Sequence, residues 1–273
     1  MSKHETFAEY PSRSLAAAEA TLLTIWPTLG RYHDDLVLVG GLAVHYLVRP
    51  GTGGWPAAVT MDVDFGIALA TEGGQYGTVQ SDLRGLGFKP DQEHPNRLVR
   101  QVENLAMYVD FLTEAPPATG GSRLVDDVVA SVVPGINRAL AARRMVKVTG
   151  HDVYGGAAKT CVIALADIGP LLVLKLNSFG GPTGRRHGKD AYDVLLAVTS
   201  FVDGPQAAIA AFRAEAACGN SGYASAIGAL RRDFSHMDAD APIRAARFLG
   251  GTAENQQRAR QELVTAATFL LEA

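Results

Sequence analysis

Two aspartates stand two residues apart in the segment Met61 to Leu69, at Asp62 and Asp64. Met61, Val63, Phe65 and Ile67 alternate there with Asp62, Asp64 and Gly66. A period of two is that of a β-strand, with one apolar face and one carboxylate face. Residues i and i+2 of a strand project from the same face. Two carboxylates held that close repel, and both stay ionised only with a cation between them. Hard divalent ions such as Mg²⁺ take carboxylate oxygens together with substrate phosphates. A third aspartate, Asp110, falls in the middle of another strand-like run, Met107 to Leu112. Three carboxylates from neighbouring strands are the ligands of a two-metal site for in-line displacement at phosphorus. Taken singly, an Asp-x-Asp is commonly the solvated face of a strand. Aspartate is depleted in strands, however, so three in mid-strand positions ask for a reason.

A second signal precedes the first. The apolar run Leu36 to Val39 stops at Gly40-Gly41 and is followed by a helix-like stretch, Leu42 to Val48. A strand that ends in two glycines and opens into a helix presents bare backbone N–H groups and the positive end of a helix dipole. Glycine lets an anion such as a triphosphate approach that backbone closely. The plainer reading of Gly40-Gly41 is a tight turn. Taken together, the turn and the three aspartates give a phosphate cradle beside a metal-binding strand.

The elements that must position these residues are legible in outline. A helix is expected over 12–29, with Pro27 bending or ending it, and a Gly- and Pro-rich loop over 49–58. A helix follows at 75–86, strands at 97–101 and 107–112, and a Pro- and Gly-rich loop at 115–122. Residues 123–166 read as a short helix near 136–144 and strands at 145–148 and 161–165. From Asp167 onward the chain reads as helical, broken by GGPTGRRHG at 180–188, with later helices at 189–201, 205–217, 221–233, 241–249 and 253–272. Strands dominate the first half and helices the second. The fold class is therefore α+β: a mixed sheet flanked by helices over 1–166, then a helical domain over 167–273.

Composition excludes several classes. With 47% hydrophobic and 19% charged residues the chain is not disordered. Against 25 Lys and Arg stand 28 Asp and Glu, so net charge does not announce a nucleic-acid binder. The two cysteines, Cys161 and Cys218, form no metal or redox motif. No apolar run reaches the roughly 20 residues of a membrane helix; the richest, Cys161 to Leu176, contains Asp167, Gly169, Pro170 and Lys175. The start, MSKHETFAEYPSRS, has no signal-peptide core, which leads to the expectation of a cytoplasmic protein with no membrane partner.

The sequence Gly40-Gly41, then Thr60-Met61-Asp62-Val63-Asp64-Phe65, then Val109-Asp110-Phe111, resembles the DNA polymerase β-like nucleotidyltransferase superfamily. Leu174-Lys175-Leu176, followed by Arg185-Arg186-His187-Gly188-Lys189-Asp190-Ala191-Tyr192-Asp193-Val194, is similar to the AbiE-type (AbiEii-like) toxin nucleotidyltransferases within it. The resemblance covers about 36–198. Two features depart from the family pattern: many members have Gly-Ser where this chain has Gly40-Gly41, and Gly51 to Trp55 lengthens the gap to Asp62.

The resemblance implies a nucleotidyltransferase-type sheet and a helical domain that closes over an active-site cleft. It implies Mg²⁺ or Mn²⁺ bound by Asp62, Asp64 and Asp110, with Gly40, Gly41, Lys175, Arg185 and Lys189 toward the nucleotide. Lys175 would contact a phosphate; the alternative is a snorkelling surface lysine. Asp190 and Asp193, three apart on one helix face, leave two readings open. One of them orients the nucleotide or Lys175, or Asp190 is a helix N-terminal charge and Asp193 pairs with Lys189. The activity implied is transfer of a nucleoside monophosphate from an NTP to an acceptor hydroxyl. The implied acceptor is RNA, a tRNA 3′ end first, in a toxin checked by an antitoxin protein. The rivals are nucleotidylation of a small molecule or protein, and an inactive nucleotide- or protein-binding module.

Overall fold

The computed structural model describes residues 4–68, 79–94, 96–102, 104–114, 122–125 and 128–272. In chain order the helices and strands are α1 (Ser14–Thr28), β1 (Leu36–Val39), α2 (Gly40–Leu47), β2 (Asp62–Ile67), α3 (Val79–Gly85), β3 (Lys89–Pro90), β4 (Arg97–Val102), β5 (Leu105–Thr113), β6 (Ser122–Val125), β7 (Val128–Val132), α4 (Ile136–Ala141), β8 (Arg143–Gly150), β9 (Lys159–Ala166), α5 (Ile168–Gly180), α6 (Gly188–Thr199), α7 (Pro205–Ala214), α8 (Tyr223–Asp233), α9 (Asp240–Leu249) and α10 (Ala253–Leu271). The fold is mixed α+β. Among the described residues no helix is long and apolar enough to cross a membrane.

The chain divides into two compact units, one of Ser12–Ala43 and Thr60–Asp167, the other of residues to Pro11, Val44–Val59 and residues from Ile168 on. The sequence reading drew a single boundary at 166/167. The change at Asp167 falls beside it, but the second unit also takes in two earlier segments. Local contacts explain why. Val48 bridges Phe201, the Trp55 indole donates to Glu262 at 2.8 Å, and the Tyr192 hydroxyl donates to the Pro56 carbonyl. None of these pairings leaves a local pattern in the sequence.

In the sheet unit, the described strands run in the order β3-β4-β5-β2-β1-β9-β8, with β7 also paired to β5 and β6 to β7. The central pair β2 and β5 is parallel, while β1 and β4 flank it antiparallel. β1 is buried throughout, as its unbroken Leu-Val-Leu-Val run requires of a central strand. β2 alternates: Val63, Phe65 and Ile67 are fully buried, whereas Asp62 and Asp64 are half-buried. On the apolar side Trp26 of α1 stacks on Phe65 and Phe65 on Phe111, with ring centroids 6.1 and 6.0 Å apart. On the other side α4 packs down at Gly66, where a Cβ would lie 2.8 Å from Val37 Cγ1 and 3.3 Å from Ile136 Cγ2. The helix therefore covers the Gly66 end of the aspartate face.

β3, β6 and β7 were not anticipated. β3 is two exposed residues ending in proline, and β6 begins inside the stretch read as a loop. The described part of the helix expected at 75–86 is α3; its expected first residues, the end of the strand expected to Leu69, and most of the 115–122 loop lie outside the described residues. α1 keeps Pro27 in its last turn and ends one residue later. The helical unit is built from α5 to α10 with the last residues of α2, and α5 and α6 are its most buried helices.

Candidate active site

The register of the sheet sets the three sequence-predicted carboxylates on one face of adjacent strands. In the parallel pairing of β2 with β5, Asp64 lies opposite Asp110, and Asp62 opposite Tyr108. Asp62 and Asp64 share a face of β2, so all three aspartates project from one face of adjacent strands. Asp110 is buried at 9% exposure, while the side chains of Asp62 and Asp64 stand more open. Thr60, itself buried, braces the entry to β2 by accepting from the Asp62 amide at 3.2 Å.

Gly40 closes the cluster on its other side. β1 pairs antiparallel with β2 so that Val39 faces Asp64, and the next residue turns the chain into α2. Gly40 makes that turn with φ 72°, in the left-handed region that glycine alone enters without strain. A Cβ at Gly40 would sit 1.8 Å from Asp64 Oδ2 and 2.6 Å from its Cγ. The Asp64 carboxylate thus lies against bare backbone at the opening of the helix that starts Gly40-Gly41. The phosphate cradle and the acid cluster of the sequence reading are neighbours in one unit.

A residue that the sequence reading missed lies inside the cluster. Arg97 on β4 is the register partner of Asp110. Its Nε donates to Asp110 Oδ1 at 2.9 Å and its Nη2 to Asp110 Oδ2 at 2.6 Å, a bidentate pair. The same Nη2 is 3.7 Å from Asp62 Oδ2. The guanidinium carbon lies 4.6 Å from the Tyr108 ring centroid. Burial works against the charge of Arg97, but Asp110, Asp62 and Asp64 outweigh it and hold its pKa above the usual arginine range. Burial also pushes the Tyr108 phenol up, with Arg97 opposing and Asp62 adding to the shift. The signal for Arg97 was in the sequence: β4 and β5 form a hairpin in which Val102 pairs with Leu105, and Asn104 takes the turn with φ 68°. Counting outward from that turn sets Arg97 against Asp110.

The donor set suits a hard divalent cation, since three carboxylates supply only oxygen ligands and Arg97 offsets a single one of their charges. In the state described, both Asp110 oxygens are engaged by the guanidinium. Among the described residues no group of three or more His, Cys, Asp or Glu side chains is placed so that it could hold a metal ion in this arrangement.

The remaining predicted residues form a second cluster, in the helical unit. Lys175 of α5 is buried at 5% exposure, so it is not a snorkelling surface lysine. Its Nζ donates to Asp193 Oδ2 at 2.6 Å, and Lys189 Nζ donates to the same oxygen at 2.9 Å from one turn away on α6. Asp190 is 3.8 Å from Lys175 Nζ and accepts from the Ser178 hydroxyl at 3.1 Å. Arg185, an exposed side chain, reaches Ser178 at 3.3 Å and Asp190 at 3.9 Å. Asp193 is therefore the residue that fixes Lys175, and its pairing with Lys189 holds at the same time. Burial acts to raise the Asp193 pKa, but Lys175 and Lys189 overcome it and leave the carboxyl below its ordinary value. His187 caps α6 by accepting from the Lys189 amide at 3.2 Å.

No protein-family model matches this chain, and no curated protein matches it significantly.

Proposed function

We propose that the chain is a divalent-metal-dependent nucleotidyltransferase that moves a nucleoside monophosphate from an NTP to an acceptor hydroxyl and releases pyrophosphate. One observation carries the reading: register and alternation set Asp62, Asp64 and Asp110 on one face, with Asp64 against the backbone of Gly40. A solvated strand face has no need of a buried third aspartate, nor of a glycine that must stay bare beside the second. Asp62, Asp64 and Asp110 would hold Mg²⁺ or Mn²⁺, which when bound supplies Lewis-acid stabilisation of the phosphoryl oxygens. Gly40 and Gly41 would take the triphosphate on backbone N–H groups at the start of α2. Asp110 would also help to activate the acceptor hydroxyl. Positioning and electrostatic stabilisation would supply most of the rate enhancement, because little covalent chemistry falls to the protein.

The resemblance adds Lys175, Lys189, Arg185 and the Asp190–Asp193 pair as parts of the machinery, RNA as acceptor with a tRNA 3′ end first, and an antitoxin protein as partner. The test is incubation of the protein with each α-labelled NTP, Mg²⁺ and total RNA, followed by a denaturing gel. A labelled RNA band that disappears with EDTA supports the proposal. Label on protein or small molecules instead would keep the chemistry and replace the acceptor. No label with any NTP would overturn it.

A further inference from the structure

We infer that Arg97 is a displaceable counter-cation of the acid cluster, which must release Asp110 before Asp110 can ligate a divalent ion. The inference rests on the reading of Asp62, Asp64 and Asp110 as metal ligands and concerns a residue outside that reading. Arg97 engages both Asp110 oxygens, at 2.9 and 2.6 Å. Its guanidinium also lies toward Asp62, at 3.7 Å. A cation already stands between two of the three carboxylates. Like charges at this range repel, so metal ligation by Asp110 and the bidentate grip of Arg97 compete for the same oxygens.

The exchange is local. The guanidinium also rests over the Tyr108 ring, 4.6 Å from its centroid, and an arginine that lets go of Asp110 keeps that aromatic perch. It stays charged, as an arginine guanidinium does. The device has a plain physical use. Three carboxylates alone on one strand face would repel, and one of them is buried at 9% exposure. Arg97 offsets that repulsion at the cost of weaker metal binding. A purely structural salt bridge predicts something different: loss of stability on removing Arg97, with metal affinity unchanged or reduced.

The experiment is Mn²⁺ binding without nucleotide, by calorimetry and by electron paramagnetic resonance, to the full-length wild type, Arg97→Met, Arg97→Lys and Asp64→Asn. Arg97→Met is expected to bind Mn²⁺ at least tenfold more tightly than wild type. Arg97→Lys, which keeps the charge and loses the fork, is expected to fall between them. The thermal midpoint of Arg97→Met should be lower than wild type in EDTA and should rise further than wild type on adding saturating Mn²⁺. A folded Arg97→Met with wild-type or weaker affinity overturns the inference. Where Arg97→Met does not fold, Arg97→Lys decides: tighter binding than wild type supports the inference and equal binding overturns it. Wild-type binding that Asp64→Asn abolishes, together with an unchanged Arg97→Met, removes the counter-cation role alone. Equal binding by wild type and Asp64→Asn, or none by wild type, Asp64→Asn and Arg97→Met alike, removes the metal reading and the inference with it.

Discussion

Replacing Asp193 by Asn strips the helical unit of the charge on which two buried ammonium groups converge. Lys175 and Lys189 are 5% and 3% exposed, and both donate to Asp193 Oδ2, at 2.6 and 2.9 Å. The next carboxylate, Asp190, is 3.8 Å from Lys175. Asparagine keeps the volume and the carbonyl oxygen, so no cavity term enters. What remains is the cost of leaving a buried cation without its partner, about 3–5 kcal/mol for a broken buried pair. With a urea slope of about 2–3 kcal/mol/M, the midpoint should fall by roughly 1–2.5 M. Far-UV circular dichroism in urea follows the loss of helix, most of which lies in this unit. The pH dependence gives a second check. A carboxyl whose folded pKa lies below its unfolded value contributes stability that is complete above the unfolded value and is lost as pH falls through the folded one. For Asp193 the folded value lies below 3.8, so the stability gap between wild type and Asp193→Asn should be constant near neutrality and narrow progressively as pH falls below about 4. A midpoint within about 0.3 M of wild type, or a gap that does not narrow as pH falls below about 4, would refute the account of this cluster.

Other perturbations separate structure from chemistry. Gly40→Ala meets both a positive φ and the Asp64 carboxylate, so it should cost at least about 1–2 kcal/mol by urea melts and abolish nucleotidyl transfer on gels. Lys175→Met leaves Asp193 paired with Lys189, so the melt should move by less than about 1.5 kcal/mol, whereas transfer should fall by at least tenfold. Phe65→Ala removes a ring stacked between Trp26 and Phe111 and should cost about 3–5 kcal/mol without changing the metal dependence of whatever activity survives.

Much of this was readable from residue order because it rests on local periodicity. β1 fell where the Leu-Val-Leu-Val run placed it, and the faces of β2 followed from alternation. The helices from α5 onward announced themselves by length and spacing. The aspartate pair needed only the two-residue repeat of a strand. That Asp110 shares its face, beside Asp64, is a matter of strand pairing, which residue types alone do not set. Arg97 was overlooked because a lone arginine in a short run carries no pattern until the hairpin register is counted. β6 and β7 were hidden by the Gly- and Pro-rich composition just before them. The burial of Lys175 was equally hidden: its helix is apolar on every side, and only the packing of α5 with α6 supplies the acid that neutralises it. The return of Val44–Val59 to the helical unit depends on partners some 150 to 200 residues away, such as Phe201 and Glu262.

The central claim is that the carboxylates around Asp64 direct attack at the α-phosphate of an NTP. The direct measurement compares α-labelled and γ-labelled NTP with Mg²⁺ and RNA, for wild type and a folded Asp64→Asn. The account predicts α-label on the acceptor, γ-label released as pyrophosphate, and neither event with Asp64→Asn. Transfer of the γ-label to the acceptor, or undiminished α-transfer by Asp64→Asn, would contradict it.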